Sequence, residues 1–241
     1  MKRMICLICI LMPLALFAQS APGLESGVFR LEKGMFDSHQ LMIGRKIPPA
    51  EVIGHYYLDT SWHQGTFRMK EGRTSAEYPL RYDIENALLE VRWQGQVKVV
   101  GEEYLDSFRW YEGTNKQARI FKNGRAFSLD QSTISGFLEL VYAGKDSLVL
   151  SYDAYMKQPD YVVGLDMGSR HPEIIKTRKI YIVTDGALHA INKRKDFFDY
   201  ASGLSKRVLK QKLKTERLSI KDPHDLATLM QYYETYQDEQ P

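Results

Sequence analysis

Between Gly54 and Tyr111, short runs rich in aromatic and β-branched residues alternate with turn residues at the intervals that antiparallel strands require. Lys70-Glu71-Gly72 separates the runs 65–69 and 74–80, and Trp93-Gln94-Gly95 separates 88–92 and 96–100. Each reads as a three-residue loop closed by a left-handed Gly. In that register Val91 faces Val97 and Leu89 faces Val99, which keeps one face apolar. A two-residue turn at Gln94-Gly95 pairs Arg92 with Val97 and spoils that face, so the bulged form is expected.

Further on, Asn123-Gly124 is expected to join 119–122 to 125–129, and Asp185-Gly186 to join 180–184 to 187–191, because both dipeptides tolerate positive φ at the two turn positions. Residues 143–146 separate the runs 137–142 and 147–155. Five hairpins in succession predict a mainly β fold, an antiparallel meander curled into a rolled sheet or partly open barrel. The segment 157–179 contains Pro159, Gly164, Gly168 and Pro172 without periodicity and reads as a long connector. After Asn192 the pattern turns helical. Phe197, Phe198 and Ala201 line a short helix ended by Gly203. Ser205 caps a second, with Val208, Leu209 and Leu213 on one side. Asp222-Pro223-His224-Asp225 starts a third, with Leu226, Leu229, Met230 and Tyr233 at core spacing. These helices are expected to pack on the sheet.

Residues 1–20 read as a cleaved secretory signal. Met1-Lys2-Arg3 is basic, 4–17 is apolar, and small residues allow cleavage between Ala18 and Ser20. The run is too short for a stable membrane span. Residues 21–51 form a partly ordered leader that adds one strand near Val28, 52–192 the β domain, and 193–241 the helical segment. Both cysteines, Cys6 and Cys9, lie in the signal, so the exported chain has no thiol for disulfides, metal binding or nucleophilic attack. The remaining fold of some 220 residues is large enough to stand on its core alone, and 44% hydrophobic with 26% charged residues is ordinary for a folded domain. A net charge of +3 provides no field for nucleic acid.

Motifs of chemistry are scarce. The six histidines lack metal-binding spacing, no G-x-S-x-G elbow or phosphate loop occurs, and no catalytic residue, metal or cofactor is expected. The exception to weigh is His55 and His63 meeting across strands near Asp59, which would make a metal or acid–base group. Asp59, Asp83, Glu85 and Glu103 supply carboxylates that become a hydrolytic pair only if two of them converge in a cleft. Tyr56, Trp62, Trp93 and Trp110 are candidate ligand-binding aromatics if the sheet curls around a cavity, and otherwise core. Residues 193–221 carry a net charge of +7, and the acidic 222–239 follows. Either the two pieces neutralise each other, or Lys206, Arg207, Lys210 and Lys214 dock on an anionic surface.

G-H-Y-Y-L (54–58), W-H-Q-G (62–65), P-L-R-Y-D (79–83), L-E-V-R (89–92) and a Lys-rich tail reaching D-L-A-T-L-M and Tyr232-Tyr233 resemble an uncharacterised family of exported Bacteroidota proteins. Asp83 stands where the family more often has Asn, and Tyr57 where Pro is common. The resemblance implies export and a β fold, and assigns no catalytic residue. The expected function is a non-catalytic cell-envelope binding or interaction protein, periplasmic or extracellular, whose partner is an envelope protein, lipid or glycan. The alternatives are a carrier of an apolar ligand in the curled sheet and, behind it, a hydrolase using a carboxylate pair.

Overall fold

A computed structural model describes residues 27–33, 35–36, 46–49, 51–113, 117–130, 132–162, 164–201 and 205–238. The signal segment and Gly203 lie outside the described residues. The fold is mainly β. In chain order the strands are β1 (Val28–Phe29), β2 (His63–Met69), β3 (Thr74–Ser75), β4 (Tyr78–Asp83), β5 (Leu88–Trp93), β6 (Gln96–Gly101) and β7 (Leu105–Glu112). They continue as β8 (Gln117–Asn123), β9 (Ser128–Leu129), β10 (Ser132–Thr133), β11 (Phe137–Ala143), β12 (Ser147–Lys157), β13 (Glu173–Thr184) and β14 (Ala187–Ala190). Helices α1 (Arg194–Tyr200), α2 (Ser205–Thr215) and α3 (Pro223–Asp238) close the chain. The fourteen strands belong to one sheet in the order β10-β9-β14-β13-β12-β11-β8-β7-β2-β4-β5-β6, with β3 attached to β2 and β1 to β3. The sheet is open at β10 and β6. It is mixed, since β1 runs parallel to β3 and β9 parallel to β14.

Sequence neighbours do not always pair. β7 lies not beside β6 but on the far side of β2, and the turn between β6 and β7 occupies only residues 102–104. Such a short link reaches only if β7, β2, β4, β5 and β6 roll up until β6 ends near the start of β7. The interior of that roll is the first core, with Phe67, Leu80, Tyr82, Leu89, Val91, Val100, Phe108, Trp110 and Phe121 all buried. Its rings touch one another. Phe108 stacks on Phe121 at 4.5 Å, and Phe137 meets Tyr82 edge-on at 5.6 Å. A second core lies where the helices cover β12 and β13, with Leu148, Leu150, Ile180 and Ile182 under Leu209, Leu226, Leu229 and Met230. A third, on the opposite face, joins Leu138, Val149, Tyr181, Val183 and Leu188.

Three turns form as expected, among them the one that joins β11 to β12 in an antiparallel pair with Ala143 opposite Ser147. Gly72 sits at φ +94° behind β2, and Asp185-Gly186 takes φ of 50° and 79° in the β13–β14 hairpin. Three expectations are corrected. The β5–β6 hairpin uses the two-residue turn, with Gln94 and Gly95 at φ 48° and 76°, so Arg92 pairs with Val97 and Val91 with Lys98. One apolar face is not the rule there. Leu89 and Val91 fill the roll, while Glu90 on the outer side is also buried, bonded to Arg81 at 2.6 Å. Val97 is left 42% exposed.

Asn123-Gly124 does not turn a hairpin. Asn123 donates to the carbonyls of Glu102 and Leu105, both at 2.7 Å, and a 3-10 turn (Gly124–Ala126) follows. β8 therefore pairs with β11, not with 125–129. A Cβ on Gly124 would lie 2.6 Å from the Ile134 carbonyl, so Gly is required here by crowding and not by positive φ. Finally, 173–179 is not connector but the first part of β13, paired residue for residue with β12 from Lys157↔Glu173 onward. Its solvent-facing charges hide the strand from any periodicity argument.

Candidate functional site

One polar row crosses the inner face of the sheet, strand by strand. Tyr152 on β12 stands opposite Arg178 on β13, and Leu150, on the same face as Tyr152, stands opposite Glu139 on β11. Glu139 faces Phe121, whose same-face neighbour on β8 is Arg119. Arg119 faces Trp110 on β7, two residues from Glu112. Trp110 faces Gly65, so the same register sets His63 at the start of β2 across from Glu112. Arg178, Tyr152, Glu139, Arg119, Glu112 and His63 thus come from consecutive strands in the order β13-β12-β11-β8-β7-β2. The row runs between the first and second cores, and Tyr152 touches both.

Arg119 is the hub. Its Nε and Nη2 donate to the two oxygens of Glu139, each at 2.7 Å, Nη1 donates to Glu112 Oε1 at 2.6 Å, and Nη2 reaches the Tyr152 hydroxyl at 3.2 Å. Tyr152 in turn donates to Glu139. Burial works against the Arg119 charge, but Glu139 and Glu112 outweigh it and hold the guanidinium above its already high range. Burial, then the Glu139 charge, pushes the Tyr152 phenol up, so it remains a donor at neutral pH. The cleft over this network has a volume of about 320 Å³ and is lined on the helical side by Asp222, Pro223 and His224 at the start of α3. Asp222 caps that helix by accepting from the His224 and Asp225 amides at 2.9 and 3.2 Å.

At the β2 end of the row, Asp59, His63 and Glu112 each present one potential ligand atom within 4.8 Å of the others. Asp59 Oδ1 accepts from the Ser61 amide at 2.9 Å, in the turn that enters β2, and Oδ2 lies 3.0 Å from His63 Nε2. Burial pushes the Asp59 carboxyl up, yet the Ser61 amide and His63 more than offset it and hold it below the usual carboxylate range. His63 stacks on Trp110, whose fully buried indole N–H finds no acceptor among the described residues.

The sequence-derived candidates scatter. Tyr56 and Trp110 are buried in the first core. Trp93 packs on that core's edge, 5.8 Å from the Lys98 ammonium. Trp62 lies outside the roll between two guanidiniums, Arg81 at 4.4 Å and Arg92 at 4.2 Å from its ring centre. Of the histidine pair only His63 reaches Asp59, while His55 lies 6.1 Å from the Tyr57 ring and lines a separate cavity with Lys46 and Asp83. Of the four carboxylates only Asp59 enters the site. Asp83 accepts from Asn86, and Glu85 pairs with Lys46. On α2, Arg207, Lys210 and Lys214 are exposed opposite buried Leu209 and Leu213, and Lys206 lies 3.6 Å from Asp199. Among the described residues no ion pair joins α2 to α3, so the expected neutralisation between those helices is not seen there. No described helix is long and apolar enough to cross a membrane.

Arg119, Glu139, Glu112, Tyr152 and Arg178 escape the sequence reading. The signal they leave is a charged residue at an inward position of an apolar strand, as in F-L-E-L-V-Y around Glu139 and Q-A-R-I-F around Arg119. Comparison with protein-family models, curated proteins and solved structures finds no match for this chain.

Proposed function

We propose that this chain is a non-catalytic, exported envelope protein that binds a neutral, hydroxyl-rich ligand of the carbohydrate class along its polar row. The observation that carries the reading is the cleft over Arg119. It is walled by charged and phenolic groups already bonded to one another. Glu112, Glu139 and Asp222 face Arg119 and Arg178 there, so the charges nearly cancel and no strong field selects an anion or cation. Hydroxyls that both donate and accept fit such a wall. An apolar cargo fits less well, because the inner aromatics are spent on mutual packing in the first core. Export rests on the character of residues 1–20 and on the resemblance of the motifs 54–58 and 79–83.

Calorimetry of the full chain against a panel of neutral oligosaccharides tests this. We expect saturable binding that weakens at least about tenfold in Arg178→Ala and Tyr152→Phe, through loss of hydrogen bonds from the cleft wall. Binding that both variants retain, or hydrolysis of the glycan lost in Glu112→Gln, would reject a non-catalytic site on this row. As a second contact, Lys206, Arg207, Lys210 and Lys214 make α2 a peripheral dock for an anionic leaflet. Its mark is vesicle binding that disappears as salt rises above roughly 0.3 M.

A further inference from the structure

We propose that Asp59, His63 and Glu112 form a binding site for a single first-row divalent cation, with Zn2+ as the best match. The inference goes beyond the polar-ligand reading and shares only Glu112 with the cleft. One imidazole nitrogen and two carboxylates make the mixed donor set that suits such ions. Ca2+ is a poor match, since it takes six to eight oxygens and the protein supplies two carboxylates and a nitrogen.

The geometry is close to what coordination requires. With metal–ligand bonds of about 2.0–2.2 Å, neighbouring donors in a tetrahedral shell stand roughly 3.4 Å apart. His63 Nε2 and Asp59 Oδ2 are 3.0 Å apart, and the third donor lies within 4.8 Å of both. Glu112, 37% exposed on the rim, closes that gap by side-chain rotation, while His63 at 12% exposure is fixed. An ion also replaces the hydrogen that His63 and Asp59 share, with no rearrangement of backbone.

Each donor is held from behind. Ser61 fixes one oxygen of Asp59, the Trp110 ring fixes the plane of His63, and Arg119, itself anchored on Glu139, takes one oxygen of Glu112. Outer contacts of this kind set the orientation of metal ligands. The charged groups around the cluster are Asp59, Glu112 and Glu139 against Arg119 and Lys176, whose ammonium is spent on the Tyr57 carbonyl at 2.9 Å. What draws a cation here is local: the Asp59 and Glu112 carboxylates lie within 4.8 Å of each other and of the imidazole.

Three protein donors leave at least one coordination position for water or a ligand group. The test is titration of the full, untagged chain with ZnCl2 alone, followed by calorimetry. The expected isotherm has one site, and Asp59→Asn, His63→Phe and Glu112→Gln each weaken it at least about tenfold. His63→Phe keeps the stack on Trp110, so a folded, metal-blind protein is obtained even if His63→Ala fails to fold. His55→Gln, outside the cluster, should bind like the parent. No saturable Zn2+ binding, or one-site binding that survives His63→Phe and Glu112→Gln together, would overturn the site. No glycan is present in this experiment, so its failure leaves the polar-ligand reading standing.

Discussion

His63 lies nearly flat against Trp110, with ring centroids 5.0 Å apart and planes 22° from parallel. The contact joins the polar row to the first core, since Trp110 is fully buried and His63 holds Asp59. Stacked aromatic pairs contribute about 0.5–1.5 kcal/mol beyond burial. His63→Ala should therefore cost about 1–2 kcal/mol in urea denaturation, while His63→Phe stays within about 0.5 kcal/mol of the parent. Equal losses in both variants would show that the Asp59 bond, and not the stack, carries the stability.

Arg119 is shared by two carboxylates, Glu139 at 12% and Glu112 at 37% exposure. Removing the guanidinium leaves Glu139 half-buried without its cation. Arg119→Met should cost about 3 kcal/mol, and Arg119→Met with Glu139→Leu should recover much of it, because breaking a buried pair costs more than replacing it. Equilibrium unfolding of the single and double variants checks this.

Asn123 ties the end of β8 to the β6–β7 turn through the carbonyls of Glu102 and Leu105. This turn links β6 to β7 at the end of the roll, and the same turn's Glu102 accepts from Arg125, Ser135 and Gly136. Asn123→Ala leaves two buried acceptors unmet and should destabilise by about 2–4 kcal/mol. Hydrogen exchange should show the loss concentrated in β6 and β7, ahead of β12 and β13.

Burial, followed by the Lys176 charge, takes His55 below its ordinary value of 6.5. Near that value the unfolded chain binds a proton that the folded chain resists. Stability therefore rises with pH through this window and is lost as pH falls below 6.5. Melting temperatures measured at about pH 7.5 and about pH 5.5 should differ less in His55→Gln than in the parent. An unchanged difference would place the acid sensitivity elsewhere.

Local chemistry was readable in the chain, and long-range pairing was not. Asp185-Gly186 and the start of α3 at Asp222-Pro223 follow from turn and capping residues that act within a few positions, and the helices show in the spacing of their apolar residues. Gln94-Gly95 departs from the apolar-face rule because Glu90 on β5 is buried by Arg81 and Tyr57 from elsewhere in the chain. Asn123-Gly124 hides its role because the same dipeptide that makes a hairpin turn serves here as a tie to distant carbonyls. In the site, Asp59 and His63 are four residues apart and legible as a pair, while His55, the third group the sequence suggests, lies elsewhere. Glu112 is the actual third member, and the insertion of β7 beside β2 brings it there. No pattern within β7 announces that insertion. Arg178, Tyr152, Glu139 and Arg119 meet for the same reason, by strand order and not by spacing in sequence.

The most direct measurement is an NMR titration of the full chain with neutral oligosaccharides, following the amides of Arg119, Glu139, Tyr152, Arg178 and His224. The account predicts saturable shifts confined to these residues and their strand neighbours, with Phe67, Leu80 and Val91 inside the roll unmoved. Shifts centred on the roll, or a polar row that no oligosaccharide perturbs, would contradict it.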